Sequence, residues 1–192
     1  MKILPVLVLV AISGGIAFPD SSNEIGKIDF RNFAFRPSCM HLADSSEEVD
    51  RWQLNGTGNS ITVTNGFFQS NNPEDPLDVR IIEITYGVIN SNEVAIVTMV
   101  CNTGGSGNFS EGFIFSLANG QPKLLAVISG GDRANGGIQA ATIEHGLLRV
   151  EKYGTNGGAC CPQWVEIRNY KLRDRRLIQV GMERRRKYAS AR

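Results

Sequence analysis

Residues 79–101 read VRIIEITYGVINSNEVAIVTMVC, and this stretch decides the fold. Two apolar, β-branched runs flank the polar pair Asn90-Ser91, an order that predicts two antiparallel strands joined by a tight turn. The second run is apolar on both faces, with Val94, Ile96 and Val100 on one and Ala95, Val97 and Met99 on the other. A strand of this kind is typically covered by other parts of the protein on both sides.

The same alternation of apolar strands and polar turns continues toward the C-terminus, and its order is then repeated. After a glycine-rich loop over residues 102–108, GFIFSL and PKLLAVIS flank the turn Asn119-Gly120. From Gly137 the order of strand, turn, strand, loop, strand, turn and strand is repeated by GIQAATIE, LLRVEKY, QWVEIRNYKL and RRLIQVG. We therefore expect an all-β protein built from two four-stranded antiparallel meanders, packed as a sandwich or as stacked blades.

The second meander differs from the first in its alternation of apolar and charged residues. Apolar residues alternate with charged ones in two of its strands, Leu148 and Val150 with Arg149 and Glu151, and Val165 and Ile167 with Glu166 and Arg168. This pattern predicts a sheet with one wet face.

Upstream of the meanders we expect a strand, a short helix and a hairpin. The strand is predicted over GKIDFRNFAF, residues 26–35. Ser45 and Glu48 form a capping box that predicts a short helix through Trp52. In ITVTNGFFQ the pair Asn65-Gly66 suits a type I′ turn and so predicts a hairpin.

The first 17 residues have the pattern of a secretory leader. Lys2 precedes an apolar run of about ten residues, and small residues follow up to a cleavage position before Phe18. The run is shorter than the roughly 20 residues a membrane-spanning helix needs. The sequence thus predicts a signal peptide over 1–17, a single β-rich domain over 18–182, and a secreted or periplasmic location with no transmembrane segment. A buried N-terminal strand is the alternative for the leader.

All four cysteines follow the predicted leader, and an even number in an exported chain indicates disulfide bonds. Cys160 and Cys161 are adjacent, and a bond between neighbours strains the peptide that joins them. We therefore expect each of them to bridge to Cys39 or Cys101. The alternative is a thiolate-zinc site made of Cys39, His41, Cys160 and Cys161.

Two glycine-rich loops supply the candidate ligand-binding residues. The segment from Gly131 to Gly137 joins the two meanders, and its glycines suit a structural link with unusual backbone angles. Its backbone amides and Arg133 also suit the binding of an anion or a sugar. We assign five residues as candidate ligand contacts: Asp132, Arg133, Asn135, Asn102 and Asn108.

No catalytic residue is assigned from the sequence. The two histidines, His41 and His145, lie outside any known catalytic arrangement, and His145 precedes Gly146 in a predicted turn. No G-x-S-x-G or phosphate-loop motif occurs. A glycan hydrolase is the enzymatic alternative, and it would need two converging carboxylates. The candidate carboxylates are Asp132, Glu144, Glu151 and Glu166.

Charge is segregated along the chain. Residues 20–93 carry a net charge of −7, whereas residues 171–192 carry +7. We interpret residues 183–192 as a basic tail able to contact anionic lipid or polysaccharide surfaces through Arg184, Arg185, Arg186 and Lys187. Nucleic acid is not an expected partner, since no basic strand carries interspersed aromatic residues.

Five segments of the chain read IDFRNFAF, GFIFSLANGQPKLL, GDRANGGI, HGLLRVEKY and GGACCPQW. Together they resemble a family of exported bacterial proteins of unknown function. The family is distantly similar to integrin-type propeller repeats, and the resemblance implies a blade-like sheet. In this chain the turn that is acidic in such repeats reads GVINSNE, where Glu93 is the only charge, so neither metal nor cofactor is expected. The prediction is an exported, non-catalytic binding or scaffolding module whose partner is a glycan or an envelope component.

Overall fold

The computed structural model describes residues 24–41, 60–132, 136–154 and 162–189, and the predicted leader and the Ser45–Trp52 helix lie outside these ranges. The described chain is all-β, as predicted. Three short 3₁₀ turns occupy Glu24–Lys27, Phe30–Asn32 and Ser38–His41. The described residues form eleven strands: β1 Ala34–Phe35, β2 Ile61–Thr62, β3 Phe67–Gln69, β4 Asp78–Ile89, β5 Asn92–Asn102, β6 Phe109–Ala118, β7 Gln121–Ile128, β8 Ile138–Glu144, β9 Leu147–Tyr153, β10 Trp164–Arg173 and β11 Arg176–Lys187.

The strand expected over residues 26–35 is reduced to the two residues of β1. A carboxylate oxygen of Asp29 accepts a hydrogen bond from the backbone amide of Arg31 at 3.1 Å and caps a 3₁₀ turn. This local side-chain acceptor competes with strand pairing. The turn directs Phe30 into the core, where its ring packs 5.0 Å from that of Phe115 on β6.

The first meander forms part of a five-stranded antiparallel sheet with the order β3-β4-β5-β6-β7. Its hairpins close as expected, because Asn90-Ser91 and Asn119-Gly120 adopt positive φ at both turn residues, the condition for a type I′ turn. Asn65-Gly66 does the same between β2 and β3. The arms of that hairpin enter different sheets, since β2 pairs with β1 and β3 pairs with β4.

The five-stranded sheet is covered on both faces, as the alternation in β5 predicts. Ala95, Val97 and Met99 belong to a core shared with the N-terminal segment, which contributes Ile25, Phe30 and Phe35. Val94 and Ile96 belong to a second core shared with the four-stranded sheet, which contributes Ala141, Leu148 and Val150. The molecule therefore has three layers, with the five-stranded sheet in the middle.

The second meander forms a separate antiparallel sheet with the order β11-β10-β9-β8. Its register corrects the prediction of one wet face. Arg168 lies opposite Val150 and Ile167 lies opposite Glu151, and residues directly opposite each other project to the same face. Glu166 and Arg168 thus share a face with the core residue Val150, so each face of this sheet carries both apolar and charged side chains.

Residues 183–187 of the predicted basic tail form the end of β11. Arg185 and Arg186 lie opposite Glu166 and Val165 of β10. The Arg185 guanidinium pairs with the carboxylates of Glu166 at 3.2 Å and Glu183 at 3.0 Å, and that of Arg186 pairs with Glu151 at 2.5 Å. Neighbouring glutamates thus engage two of the four cations, and the strand holds these residues in a sheet.

Candidate functional site

The disulfide in the structure joins Cys39 to Cys101, with their Cα atoms 6.5 Å apart. The expected bridges from Cys160 and Cys161 to these two residues are therefore wrong, and that pair itself lies outside the described ranges. The bond ties the 3₁₀ turn Ser38–His41 to the end of β5. The alternation along β5 accounts for the pairing, because Cys101 projects into the core that the N-terminal segment covers.

Glu111 on β6 supports the same junction. Its carboxylate is 2% exposed and accepts hydrogen bonds from the backbone amide of Ser38 at 2.9 and 3.0 Å. The carboxylate also lies within 4.8 Å of both disulfide sulfurs. The proposed zinc site requires Cys39 as a thiolate ligand, and this sulfur is already bonded to Cys101. The arrangement fixes the N-terminal segment on the central sheet.

The candidate site is a shallow pocket of about 500 Å³ at one corner of the five-stranded sheet. It lies on the face that carries the second core, because Phe67 lies opposite Arg80, Arg80 lies opposite Val100, and Val100 projects from β5 to the same face as the core residues Val94 and Ile96. The four-stranded sheet leaves this corner exposed. We call it the corner pocket, and it is lined by Phe67, Asp78, Val79, Arg80, Val100, Cys101, Asn102 and Asn108.

An aromatic ring and two opposite charges dominate the corner pocket. Phe67 is 39% exposed, and the guanidinium carbon of Arg80 lies 5.9 Å from the centre of its ring. This cation–π contact orients Arg80 along the pocket. Asp78 occupies the position two residues before Arg80 on the same face of β4 and is exposed. The pocket therefore offers an apolar ring, a hydrogen-bond acceptor and a charged donor side by side.

The loop over residues 102–108 forms one wall of the pocket. The Asn102 amide nitrogen donates to the carbonyls of Gly105 at 2.9 Å and Gly107 at 2.8 Å, while its oxygen accepts from the amide of Gly104 at 2.8 Å. Asn102 thus organises the loop. The side-chain oxygen of Asn108 accepts a longer hydrogen bond from Asn102, at 3.3 Å. Both asparagines, which belong to the same loop in the sequence, line the corner pocket.

Asp132 lies in the link between the sheets, while Arg133 and Asn135 fall outside the described ranges. The Asp132 carbonyl accepts a hydrogen bond from the amide of Gly137 at 2.7 Å, so the described ends of the link lie close together. Ser110 holds the link on the central sheet, since its hydroxyl donates to the Gly131 carbonyl at 3.0 Å. Asp132 does not line the corner pocket, and a ligand role for these three residues stays a prediction.

The glutamates considered for hydrolysis are engaged in ion pairs. Glu144 and Glu151 both pair with Arg149, at 2.8 and 2.6 Å, on one face of the four-stranded sheet. Glu166 projects to the opposite face, where it pairs with Arg168 at 3.1 Å. The three carboxylates are therefore neutralised locally and do not share one cleft. His145 is the first residue of a tight turn with φ of 51°.

Arg31 approaches the pocket region from the N-terminal layer. Burial raises the pKa of Tyr86 on β4, Asp29 raises it further and Arg31 opposes the rise. Asp29 already accepts bonds from the Arg31 amide and from the Asn32 side chain at 2.7 Å. The Arg31 side chain is thus close enough to Tyr86 of β4 to affect its pKa, while the Asp29 carboxylate is hydrogen-bonded within the 3₁₀ turn.

Phe67, Asp78, Arg80 and Arg31 were not among the candidates from the sequence. The alternation in DVRII does place Asp78 and Arg80 on one face of β4. What brings Phe67 beside them is the pairing of β3 with β4, across a loop with no two-residue turn signal. The sequence therefore contained a signal that Asp78 and Arg80 share a face, but none that Phe67 lies beside them.

Comparison of the chain with protein-family profiles, curated proteins and solved structures finds no match in any of the three. No helix within the described residues has the length and apolar character needed to cross a membrane. Fold and site define a three-layered, disulfide-linked β protein with an exposed pocket at one corner of its central sheet. The functional argument therefore rests on the chemistry of that pocket.

Proposed function

We propose that this protein is an exported, non-catalytic binding module that recognises a saccharide of the cell envelope or the extracellular space in the corner pocket. The observation that carries the proposal is the placement of the half-exposed Phe67 ring beside Asp78, Arg80 and Asn108. A sugar ring presents apolar C–H groups that pack on an aromatic face. Its hydroxyls bond to carboxylate, guanidinium and amide groups.

The shape of the site favours binding over hydrolysis. Glycoside hydrolases use two carboxyl groups on either side of the scissile bond. Among the described residues that line the corner pocket, Asp78 is the single carboxylate. A shallow site on a sheet surface also suits an extended chain, which can lie across the sheet without being enclosed.

Export is part of the same proposal. The Cys39–Cys101 bond supports it, because disulfides persist in oxidising compartments such as the periplasm and the extracellular space. The predicted leader over residues 1–17 gives the route. In such a compartment, polysaccharides and glycoconjugates are the abundant polar polymers that a non-catalytic module would meet.

The proposal is tested by saturation-transfer NMR with defined oligosaccharides: cello-, malto-, chito- and manno-oligosaccharides, oligogalacturonate and its methyl ester. We expect binding of at least one of them. The Phe67→Ala and Asp78→Ala variants should weaken that binding about tenfold, the loss expected for one stacking contact or one charge-assisted hydrogen bond.

Trp164→Ala is the matched control, because Trp164 is also 39% exposed and lies on β10 of the other sheet. This variant should bind like the wild-type protein. Binding that is lost equally in Trp164→Ala, or retained in both pocket variants, would place the ligand elsewhere. Absence of binding to every oligosaccharide would overturn the saccharide proposal.

A further inference from the structure

A second pocket, of about 350 Å³, adjoins the corner pocket at the open edge of the central sheet. The two share Phe67 and Arg80, so a ligand can extend from one to the other across this pair. We call the second one the edge pocket. Its lining residues are Arg31, Asn65, Gly66, Phe67, Arg80 and Ile81.

Two arginines from different layers converge on the edge pocket. Arg31 belongs to the N-terminal 3₁₀ turn Phe30–Asn32, and Arg80 belongs to β4. Among the described residues, neither guanidinium lies within ion-pair distance of a carboxylate, in contrast to Arg149, Arg168 and Arg185 of the other sheet. Within the described part of the chain, the edge pocket therefore holds two positive charges that are not paired with a carboxylate.

The backbone around Gly66 holds Arg31 in this position. The Gly66 amide donates to the Arg31 carbonyl at 2.7 Å. A Cβ added at Gly66 would lie 2.9 Å from Nη1 of Arg31, so the guanidinium packs against Gly66 in the space that a side chain would fill. Gly66 also has φ of +79°, which side chains rarely adopt. The turn thus brings Arg31 to the edge and leaves room for its head group.

The two ends of the joined pockets carry opposite charges. Asp78 lines the corner pocket and not the edge pocket, whereas Arg31 lines the edge pocket and not the corner pocket. An anionic group would be repelled at the Asp78 end and attracted at the Arg31 end. A neutral sugar ring suits the corner pocket, and a charged substituent suits the edge pocket.

Building on the proposed function, we infer that the edge pocket binds the oxyanion of an acidic oligosaccharide, a uronate carboxylate or a sulfate ester, between Arg31 and Arg80. Planar guanidinium groups bind such oxyanions through paired hydrogen bonds. The ligand class therefore narrows from saccharides in general to acidic ones. Arg31 sets this preference, because Arg80 also contacts the ring of Phe67 in the neutral part of the site.

The test compares acidic oligosaccharides with neutral counterparts of the same backbone by isothermal titration calorimetry. The pairs are oligogalacturonate and its methyl ester, oligoguluronate and its methyl ester, and a sulfated galactan oligosaccharide, which contains no uronate, before and after desulfation. We expect at least one acidic form to bind about tenfold more tightly than its neutral partner, as one charge-assisted contact would provide. The pair that shows the preference identifies carboxylate or sulfate as the oxyanion.

The Arg31→Gln variant should lose this preference and keep the affinity for the neutral form. Arg173→Gln is the control, because it removes the same charge from an 82% exposed residue at the far end of β10. It should retain the preference, which excludes attraction by net charge alone. Far-UV circular dichroism and thermal unfolding establish that both variants are folded.

Equal binding of acidic and neutral forms, or a preference that survives Arg31→Gln, would overturn the inference and leave the proposed saccharide function standing. Loss of the preference in Arg173→Gln as well would also overturn it, because a general charge effect would then explain the result. Failure of every oligosaccharide, acidic and neutral, would overturn the saccharide proposal and this inference together.

Discussion

At the scale of single residues, Gly130, which directly precedes the link between the sheets, is a position where a side chain does not fit. A Cβ at this position would lie 2.1 Å from the carbonyl oxygen of Ser110, which is backbone and cannot move aside. Ser110 meanwhile accepts a hydrogen bond from the amide of Ile138 at 2.6 Å through its hydroxyl. The chain after β7 can therefore pass this close to β6 only if the residue at position 130 has no side chain.

We expect Gly130→Ala to lower the free energy of unfolding by about 2 kcal/mol or more, because the methyl group would push the link away from β6. Urea titration followed by circular dichroism measures the change. Gly105→Ala is the control, since nothing lies within 4 Å of its added Cβ and its φ lies outside the left-handed region. Equal midpoints for the two variants would contradict a close approach at Gly130.

The residue scale is also where the sequence was most informative. Asn65-Gly66 and Asn119-Gly120 were assigned to tight turns, and both turns have the positive φ values that asparagine and glycine tolerate. The turn between β10 and β11 lies at Asp174 and Arg175, which also have positive φ. Neither of these residues is glycine, so the local sequence signal for a tight turn is weaker there.

At the scale of elements, ion pairs join β10 to β11. The Arg168 guanidinium lies 2.6 Å from the Glu183 carboxylate, and that of Arg185 lies 3.0 Å from it. The hydrogen bond from Arg168, and to a lesser extent that from Arg185, holds the pKa of Glu183 below its ordinary value of 4.5. The unfolded chain therefore takes up this proton at a higher pH than the folded protein does.

The contribution of Glu183 to stability is accordingly present above about pH 4.5 and is lost as the pH falls through the lowered pKa. We expect Glu183→Gln to lower stability at pH 7 by up to about 1 kcal/mol, the range of partly exposed ion pairs, and to flatten the loss of stability in acid. Urea midpoints between pH 7 and pH 3 give both quantities.

Asp174→Asn provides the comparison for this pH profile. Asp174 is 89% exposed and lies 3.7 Å from Arg173, so it forms a loose surface pair in the same hairpin. Its variant should follow the wild-type profile. A Glu183→Gln profile parallel to the wild-type one would show that the pair with Arg168 does not contribute to folding.

At this scale the sequence predicted the strands correctly, but it predicted only in part which side chains project to the same face of the sheet. Periodicity identified β9 and β10 as alternating strands, and both exist. Periodicity within a strand says nothing about which residue lies opposite which, and a shift of one position exchanges the two faces. The pairing of Arg168 with Val150 was therefore accessible only from the structure.

At the scale of the whole molecule, the site depends on how far one layer covers another. The four-stranded sheet buries Val94 and Ile96 of β5, while Val100 on the same face reaches the exposed corner. The sequence predicted two covered faces for β5 and gave no measure of this offset. Asn102 and Asn108 could be proposed because a loop contains them both, but Phe67 and Arg80 required the tertiary arrangement.

The disulfide is the covalent connection between the N-terminal layer and the central sheet, and its removal should destabilise the whole molecule. Cys39 and Cys101 are separated by 62 residues, and closing a loop of this length corresponds to about 4 kcal/mol on the chain-entropy estimate. In a Cys160→Ala/Cys161→Ala background, which leaves this pair as the only cysteines, a thiol reductant should lower the urea midpoint accordingly.

A further Cys39→Ala/Cys101→Ala variant should unfold at the lower midpoint with or without reductant, which separates loss of the bond from other effects of the reagent. Mass spectrometry of an unreduced digest of the wild-type protein should recover a peptide pair linked through Cys39 and Cys101. Recovery of either residue linked to Cys160 or Cys161 would contradict the structure. The N-terminal layer carries Arg31 to the edge pocket, so reduction should also weaken the preference for acidic saccharides.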